Sequence, residues 1–168
     1  MAGCFALDYG ETARRFLLRA KFARRPELFV PMARMLEAAV RRSIKGTTCL
    51  IPVPSHPGIT LARGFSPAGE LARELGRGLG LAIRPVIRRR WLSGTSIKRL
   101  SRRGRFQLAS GIFRIRGSLV GENVLLVDDL TSSGATLRAC TRLCEERGAS
   151  RVEAAVWARN PETLNYNT

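Results

Sequence analysis

The sequence predicts an α/β protein in which a central, mostly parallel sheet is flanked by helices. Val124–Val127 is a run of four apolar residues without polar alternation, which is typical of a strand buried on both faces. Apolar residues at helical spacing follow from Leu137 to Cys144, and Gly148 marks the end of that helix. Val152–Trp157 supplies the next apolar stretch. Strand, helix and strand in this order form the unit from which parallel sheets are built.

The elements that precede this unit fit the same fold class. Apolar residues at helical spacing predict a surface helix over residues 12–22, with Lys21 among the basic residues on its exposed side, and a second helix after Pro26. Cys49–Ile51 is typical of a short buried strand, which Pro52 stops because proline cannot continue a ladder of backbone hydrogen bonds. Parallel strands gather their carboxyl ends at one sheet edge, so this turn is expected to face the same cleft as the end of the central strand.

The middle of the chain predicts one further helix and smaller sheet elements. Ser66 is a good N-cap and Pro67 a good first helical residue, so a helix is expected to start there. The stretch 83–87 is interrupted by Pro85 and predicts at best an edge strand. Within residues 106–116 apolar and basic side chains alternate near the end, which favours a strand in a small hood over the site.

Length and composition predict one compact domain. The chain has 168 residues, of which 45% are hydrophobic, enough for a core. We divide it into an N-terminal helical segment over residues 1–46 that contributes to the hood, a main unit over residues 47–160, and a polar tail over residues 161–168 that is expected to fray. No run approaches the ~20 apolar residues of a membrane span, and the first seven residues are too short for a signal peptide. A cytoplasmic location is therefore expected.

The net charge of +16 points to an anionic partner. Between Leu75 and Gly121 there are twelve lysines and arginines and no acid. Residues 88–105 have little apolar periodicity and a Ser-Gly-Thr-Ser stretch, which predicts a mobile cationic loop. The alternative for most of these residues, taken singly, is a solvated basic face without a partner.

Two carboxylates and a hydroxyl-rich turn follow the central strand, and they indicate a ligand. Asp128 and Asp129 come directly after Val127, and residues 131–136 carry four hydroxyls and one glycine before the next helix. Free N–H groups at a helix start suit a phosphate monoester, and Gly134 lets the backbone approach the anion closely. The carboxylates would repel phosphate, but they can accept hydrogen bonds from hydroxyls a sugar's width away. Together these groups predict a site for a ribose 5-phosphate.

The alternative for this stretch is a helix cap beside a solvated acidic turn. It explains Asp129 or Thr131 singly, but not the whole run, because two adjacent acids at the end of a buried strand are unfavourable unless a neutral or cationic group meets them. A Walker A loop is excluded because no Gly-Lys-Ser/Thr occurs here. The dinucleotide fingerprint is excluded because no G-x-G-x-x-G opens the helix.

The motif and its order in the chain resemble a known family. Residues 124–136 are similar to the phosphoribosyl pyrophosphate (PRPP) motif of the type I phosphoribosyltransferases. More narrowly, the chain resembles the ComF family from Tyr9 onward. The further segments that carry this resemblance are Ile51–Pro54, Arg63–Phe65, Leu100 with Arg105, and Gly111–Phe113.

The resemblance implies a Mg²⁺-dependent transfer of phosphoribose from PRPP to an amine or nucleobase, with Mg²⁺ held through the ligand rather than by direct protein ligands. The residues assigned to catalysis are Asp128, Asp129, Lys98, Arg99 and Arg105. The residues assigned to the 5-phosphate are Thr131, Ser132, Ser133, Gly134, Ala135 and Thr136. The residues assigned to the pyrophosphate loop are Pro52, Val53, Pro54, Ser55, His56 and Arg63. His56 is the only histidine, and a structural role is favoured over that of a base.

Cationic residues in the mobile loop have a physical reason to take part. Breaking the bond between ribose C1 and pyrophosphate builds negative charge on the leaving group, which loop cations would stabilise while the closed loop excludes water.

ComF relatives commonly begin with a four-cysteine zinc ribbon, and only Cys4 stands in that region here. The other cysteines lack paired metal spacing, and Cys140 and Cys144 lie one helical turn apart on the apolar face of their helix. No structural zinc is expected.

The second hypothesis is a non-catalytic protein that responds to PRPP or binds single-stranded DNA, since the ComF resemblance implies a link to natural competence and DNA uptake. Its candidate contacts are Arg88, Arg89, Arg90, Arg102 and Arg103, and its candidate stacking platforms are Trp91, Phe106 and Phe113. Competence proteins are candidate partners, and a homodimer is left open.

The chain departs from the family pattern at a few polar positions. Ser132 and Ser133 replace the usual threonines and keep both hydroxyls. At four other positions the chain lacks the asparagine or glutamine that the family usually has. They lie in the loop and hood, where an acceptor or leaving group would be recognised. These positions are Ser66, Pro67, Ile97 and Leu108.

Overall fold

The computed structural model describes residues 3–23, 25–90 and 111–160, and it has the predicted α/β architecture. Five parallel strands form the main sheet, in the order β1-β7-β6-β2-β3. These strands are β1 (Gly3–Asp8), β2 (Cys49–Pro52), β3 (Ala82–Ile83), β6 (Asn123–Thr131) and β7 (Arg151–Arg159). Two short antiparallel strands, β4 (Ile87–Arg89) and β5 (Phe113–Ile115), form a second sheet.

Helices cover both faces of the main sheet and enclose two apolar cores. The helices are α1 (Glu11–Phe22), α2 (Phe29–Ser43), α3 (Pro57–Arg63), α4 (Pro67–Leu79) and α5 (Ala135–Glu146), and a 3₁₀ turn (Pro26–Leu28) precedes α2. One core joins α1, α2 and α4 to alternate residues of β6 such as Leu125. The other joins α5 and the small sheet to the intervening residues such as Leu126. None of the helices in the described residues is both long and apolar enough to cross a bilayer.

Strand β1 was not predicted from the sequence. It adds a fifth strand beside β7, with Gly3 opposite Ala154 and the Asp8 carboxylate 2.8 Å from the Arg159 guanidinium. Residues 4–7 are four consecutive apolar residues, a signal that the prediction missed, and Phe5 is 38% exposed beneath that guanidinium. The division at residue 46 stays a prediction, although residues on both sides of it share the α1–α2–α4 core.

The stretch around Pro85 forms two strands rather than one. Strand β3 ends at Ile83 on the edge of the main sheet, whereas β4 begins at Ile87 and pairs with β5. Pro85 lies between them because it cannot donate to either ladder. The predicted alternation in β5 is confirmed, since Phe113 and Ile115 are buried and the intervening arginine is exposed.

All four cysteines are free and buried. Burial raises the pKa of the Cys4 thiol to about 11 and that of the Cys144 thiol to about 12, and it raises the pKa of Cys140 strongly. The sequence-based interpretation of Cys140 and Cys144 as core residues is therefore confirmed. The expectation that no structural zinc is bound stays a prediction.

We expect these thiols to be inert in the folded protein. A thiol is attacked as its thiolate, and burial disfavours that charged form. At pH 8 a disulfide reagent should modify the native protein at least roughly 100-fold more slowly than the chain in denaturant. Rapid modification of any cysteine in the native protein would contradict the burial described here.

Candidate functional site

The acid pair lies inside strand β6 rather than after it. β6 continues to Thr131 because β7 is long enough to pair with it throughout, with Asp128 opposite Val156 and Thr131 opposite Arg159. The backbone N–H of Asn160 donates to the Thr131 carbonyl at 2.8 Å. The prediction that the strand ends before the carboxylates is therefore wrong, and the strand ends four residues later, at Thr131.

The two carboxylates leave the sheet on opposite faces. Side chains alternate along a strand, and Leu125 and Val127 belong to the core with α1, whereas Leu126 belongs to the core with α5. Asp128 accordingly lies on the α5 face, and Asp129 lies on the α1 face. This matters because only the α5 face leads directly into the hydroxyl-rich turn.

Asp128 is the carboxylate beside that turn. It is partly buried, and one of its oxygens, Oδ1, accepts a hydrogen bond from the Asp129 backbone N–H at 2.9 Å. Loss of solvation raises its pKa well above the ordinary value, and the charge of Asp129 raises that pKa further. The Lys21 ammonium acts in the opposite direction. The Asp128 carboxylate is thus a poorly solvated hydrogen-bond acceptor, and a hydroxyl donor on a ligand would stabilise it.

Asp129 is buried and forms an ion pair with Lys21 of α1. Its side chain is 9% exposed and that of Lys21 is 19% exposed. The sequence places Lys21 with the exposed basic residues of α1, and the structure corrects this. The signal for such a cation was the pair of adjacent acids itself, because buried like charges need a compensating partner.

The turn after β6 ends in an open helix start. Gly134 has a φ of 67°, a left-handed value that favours glycine, and it is the N-cap of α5 without a side-chain hydrogen bond. Ser132 and Ser133 are exposed, and the Ser133 hydroxyl accepts a long hydrogen bond of 3.4 Å from the Ala135 N–H. Beyond that long bond of Ala135, the next amides of α5, those of Thr136 and Leu137, have no hydrogen-bond acceptor among the described residues and are available to an anion.

Arg138 is a residue of this turn that sequence reasoning missed. A Cβ built on Gly134 would lie 3.1 Å from its Nη1 atom, so the guanidinium reaches back beside the turn. The available signal was position: a residue four places after a helix N-cap lies one turn above it. Its charge has the same sign as the open helix start and reinforces the attraction for an anion.

The turn after β2 lies next to the acid pair across the sheet. Pro52 is paired with Val127, and the Val53 N–H donates to the Val127 carbonyl at 2.9 Å. His56 is the N-cap of α3, because its Nδ1 accepts a hydrogen bond from the Gly58 N–H at 3.2 Å. This capping bond is the kind of structural role expected from the sequence.

A cavity of about 440 Å³ opens on this second turn. Pro52, Val53, Pro54 and Ser55 line one side of it, and Arg88 and Arg89 line the other. The predicted pyrophosphate loop and part of the basic stretch thus share one cavity, although they are more than thirty residues apart in sequence.

Arg63 lies away from that cavity. Its guanidinium is 5.4 Å from the centre of the Phe22 ring and 5.9 Å from that of Phe65. It lines a second cavity, of about 220 Å³, together with Lys21 and Phe22. Of the predicted pyrophosphate-loop residues, Arg63 is therefore the one that the structure separates from the others.

The three consecutive arginines at the end of β4 and just after it do not form one surface. Arg88 and Arg90 are exposed, whereas Arg89 turns to the buried side, with its guanidinium 5.8 Å from the Phe113 ring centre. Burial lowers the pKa of Arg89. The grouping of Arg89 with the nucleic-acid contacts is corrected by strand alternation.

Several predicted residues lie outside the described part of the chain. They are Trp91, Ile97, Lys98, Arg99, Leu100, Arg102, Arg103, Arg105, Phe106 and Leu108.

A parallel sheet with an acid pair, a hydroxyl-rich turn and an open helix start at one edge defines the phosphoribosyltransferase class of α/β proteins. The model of the phosphoribosyl transferase domain matches residues 60–165, and the chain belongs to this family. Within it, the resemblance to ComF proteins is confirmed by relatives of known name. The DNA utilization protein YhgH of Salmonella typhimurium is 27% identical over 155 residues, which cover 89% of this chain and 67% of the relative. Competence protein F of Haemophilus influenzae is 27% identical over 157 residues, covering 89% and 68%.

Solved structures share the fold. The purine phosphoribosyltransferase from Pyrococcus horikoshii has a TM-score of 0.52 at 20% identity, covering 95% of this chain and 82% of that one. A hypoxanthine-guanine phosphoribosyltransferase from Bacillus anthracis has a TM-score of 0.52 at 17% identity, covering 85% and 75%. At these identities the likeness confirms the fold class alone.

Proposed function

We propose that the protein binds PRPP at the carboxyl edge of its main sheet and transfers the phosphoribosyl group to an amine or nucleobase. The observation that carries this is the juxtaposition of Asp128 with the open start of α5 behind Gly134. A hydroxyl acceptor and a group of anion donors thus lie at the two ends of one turn, as a ribose 5-phosphate requires. Family membership supports the same ligand class.

Each part of the ligand has a candidate partner in this proposal. The 5-phosphate lies on the amides and hydroxyls of residues 131–136, with Arg138 beside it. Asp128 accepts hydrogen bonds from the ribose hydroxyls, whereas Asp129, which was expected to share this role, lies on the other face of β6 and pairs with Lys21. The pyrophosphate lies toward the turn at Pro52–Ser55, where Arg89 lines the facing side of the cavity. Lys98, Arg99 and Arg105 remain the proposed loop cations.

The donor set suits Mg²⁺ that arrives on the ligand. Mg²⁺ prefers oxygen ligands and is usually held by one or two carboxylates together with substrate phosphates. Lost solvation raises the pKa of the partly buried Asp128 carboxylate, and a cation carried nearby on the ligand would favour the charged form of that carboxylate. When bound, the ion would supply charge neutralisation of the pyrophosphate.

A calorimetric titration combined with a pyrophosphate-release assay tests the proposal. We expect PRPP with Mg²⁺ to bind, ribose 5-phosphate to bind more weakly, and pyrophosphate to be released when the correct amine or nucleobase is added. Ribose, which lacks the phosphate, is the matched negative ligand. Failure of PRPP to bind at millimolar concentration would contradict the proposal.

A second candidate function, nucleic-acid binding, is favoured by one surface. Arg88 and Arg114 are directly opposed on the exposed face of the small sheet, and the exposed Arg90 and Arg116 each follow the end of one of its strands. These four arginines form what we term the arginine face. Such a face suits a phosphate backbone, and two of the curated relatives carry names that refer to DNA utilization and competence.

Salt dependence tests the arginine face. If the face tracks single-stranded DNA, the affinity should fall by orders of magnitude between low and moderate salt, whereas PRPP binding should change much less. Replacing Arg114 and Arg116 with glutamine should weaken DNA binding and reduce the salt slope by about 1 to 2. Arg34→Gln, on the exposed side of α2, is the control. Equal DNA affinity in both variants would exclude this face as the contact.

A further inference from the structure

We propose that Lys21 is a positioning residue of the phosphoribosyl site, through which helix α1 holds the second carboxylate of the acid pair. The inference rests on the proposed function of that site. The observation that supports it is the ion pair between the Lys21 ammonium and the Asp129 carboxylate. The two residues are far apart in sequence and contact each other on the face of β6 that α1 covers.

The ion pair with Lys21 compensates the buried negative charge of Asp129. Asp129 is 6% exposed and follows Asp128 directly in the strand, so without a cation it would be a buried charge without compensation, on the other face of β6 from a second carboxylate. The Lys21 ammonium is the opposite charge that meets Asp129, and it also acts on Asp128. The Lys21 charge therefore offsets one of the two carboxylate charges that meet at this part of β6.

The packing of α1 fixes where this ammonium lies. Leu17 and Ala20 are buried against the sheet, and the Phe16 ring lies 6.0 Å from the ring of Trp157 on β7. Lys21 follows in the last turn of the helix, next to these anchors. Lys21 thus belongs to a packed helix rather than to a loop. The position of its ammonium near the end of β6 is therefore set before a ligand binds.

Lys21 also borders the 220 Å³ cavity that Arg63 lines. The ammonium therefore stands between the acid pair and the helix that follows the β2 turn. A change at Lys21 is expected to reach both carboxylates without removing any group that contacts ribose or phosphate. This distinguishes a positioning residue from a ligand contact.

The test compares the affinity for PRPP with Mg²⁺ in five variants. Lys21→Met should weaken binding roughly 10- to 100-fold, as loss of an outer partner commonly does. Lys21→Arg keeps the charge and should recover most of that loss. Lys45→Met is the control, because the Lys45 ammonium donates to the Arg41 carbonyl on the exposed end of α2, outside the described site. Lys21→Met combined with Asp129→Asn should bind no worse than Asp129→Asn alone, because the second substitution removes the group that Lys21 positions.

The outcomes separate the inference from the proposed function. Wild-type binding with unchanged affinity in Lys21→Met overturns the inference and leaves the function standing. Equal losses in Lys21→Met and Lys21→Arg also overturn it, because charge would then not be the cause. No binding by the wild type overturns both. If Lys21→Met fails to fold, the comparison between Asp129→Asn and the double variant decides, and a further loss in the double variant contradicts the inference.

Discussion

Asp128→Asn is expected to weaken PRPP binding severely while making the folded protein more stable at neutral pH. Asparagine keeps the shape of the side chain but offers one acceptor fewer and no charge, so the hydroxyl contacts should weaken by more than roughly 100-fold. The stability gain, about 0.5 to 2 kcal/mol in the free energy of unfolding, follows because the substitution removes a poorly solvated charge beside Asp129.

The pH dependence of this gain has a definite sign. The pKa of Asp128 is raised in the folded state, so the wild type loses stability as the pH rises through that folded value. Asp128→Asn should therefore exceed the wild type most clearly above the raised pKa, and the two should converge in acid. Urea unfolding at several pH values measures this difference in stability.

Asp8→Asn is the control for affinity, since that exposed carboxylate pairs with Arg159 and its loss should leave PRPP affinity unchanged. Undiminished PRPP binding by Asp128→Asn would contradict the site.

Gly134→Ala is expected to lower both stability and ligand affinity. Its φ of 67° is unfavourable for alanine by about 1 to 2 kcal/mol, and the new Cβ would lie 3.1 Å from Arg138 Nη1. The methyl group would also stand where the backbone must approach the phosphate. Loss of a charge-assisted hydrogen bond there should weaken PRPP binding roughly 10- to 100-fold.

Gly80→Ala is a matched control for this substitution. Gly80 ends α4 with a φ of 68°, almost the same backbone conformation, and a Cβ there would meet no atom within 4 Å. Both variants should lose similar stability in thermal unfolding, and only Gly134→Ala should lose affinity. Equal affinities in the two variants would mean that the turn before α5 does not bind the phosphate.

The sequence predicted the elements whose signal is local and periodic. The buried run at Val124–Val127, the N-cap at Ser66 and the helix after Gly134 are all present, because apolar periodicity and capping act within a few residues. Ser66 also shows why a family position can change, since its hydroxyl accepts a long, 3.4 Å hydrogen bond from the Gly69 N–H at the start of α4.

The features that escaped prediction depend on tertiary packing. Strand β1 exists because the edge of β7 accepts it, although its four apolar residues were also a local signal. β6 runs through the acid pair because β7 continues beside it, which no local signal in β6 reports. The pairing of Lys21 with Asp129 joins residues more than one hundred positions apart. Helical spacing places Lys21 on the polar side of α1, but it does not predict that the last turn of this side contacts the end of β6.

The most direct measurement is the amide spectrum of ¹⁵N-labelled protein during addition of ribose 5-phosphate and then of PRPP with Mg²⁺. Binding where β6 gives way to α5 predicts that the amide signals of Gly134, Thr136 and Leu137 move furthest with either ligand, and that Asp128→Asn suppresses the movement. Saturable binding that leaves these three signals in place would contradict the account.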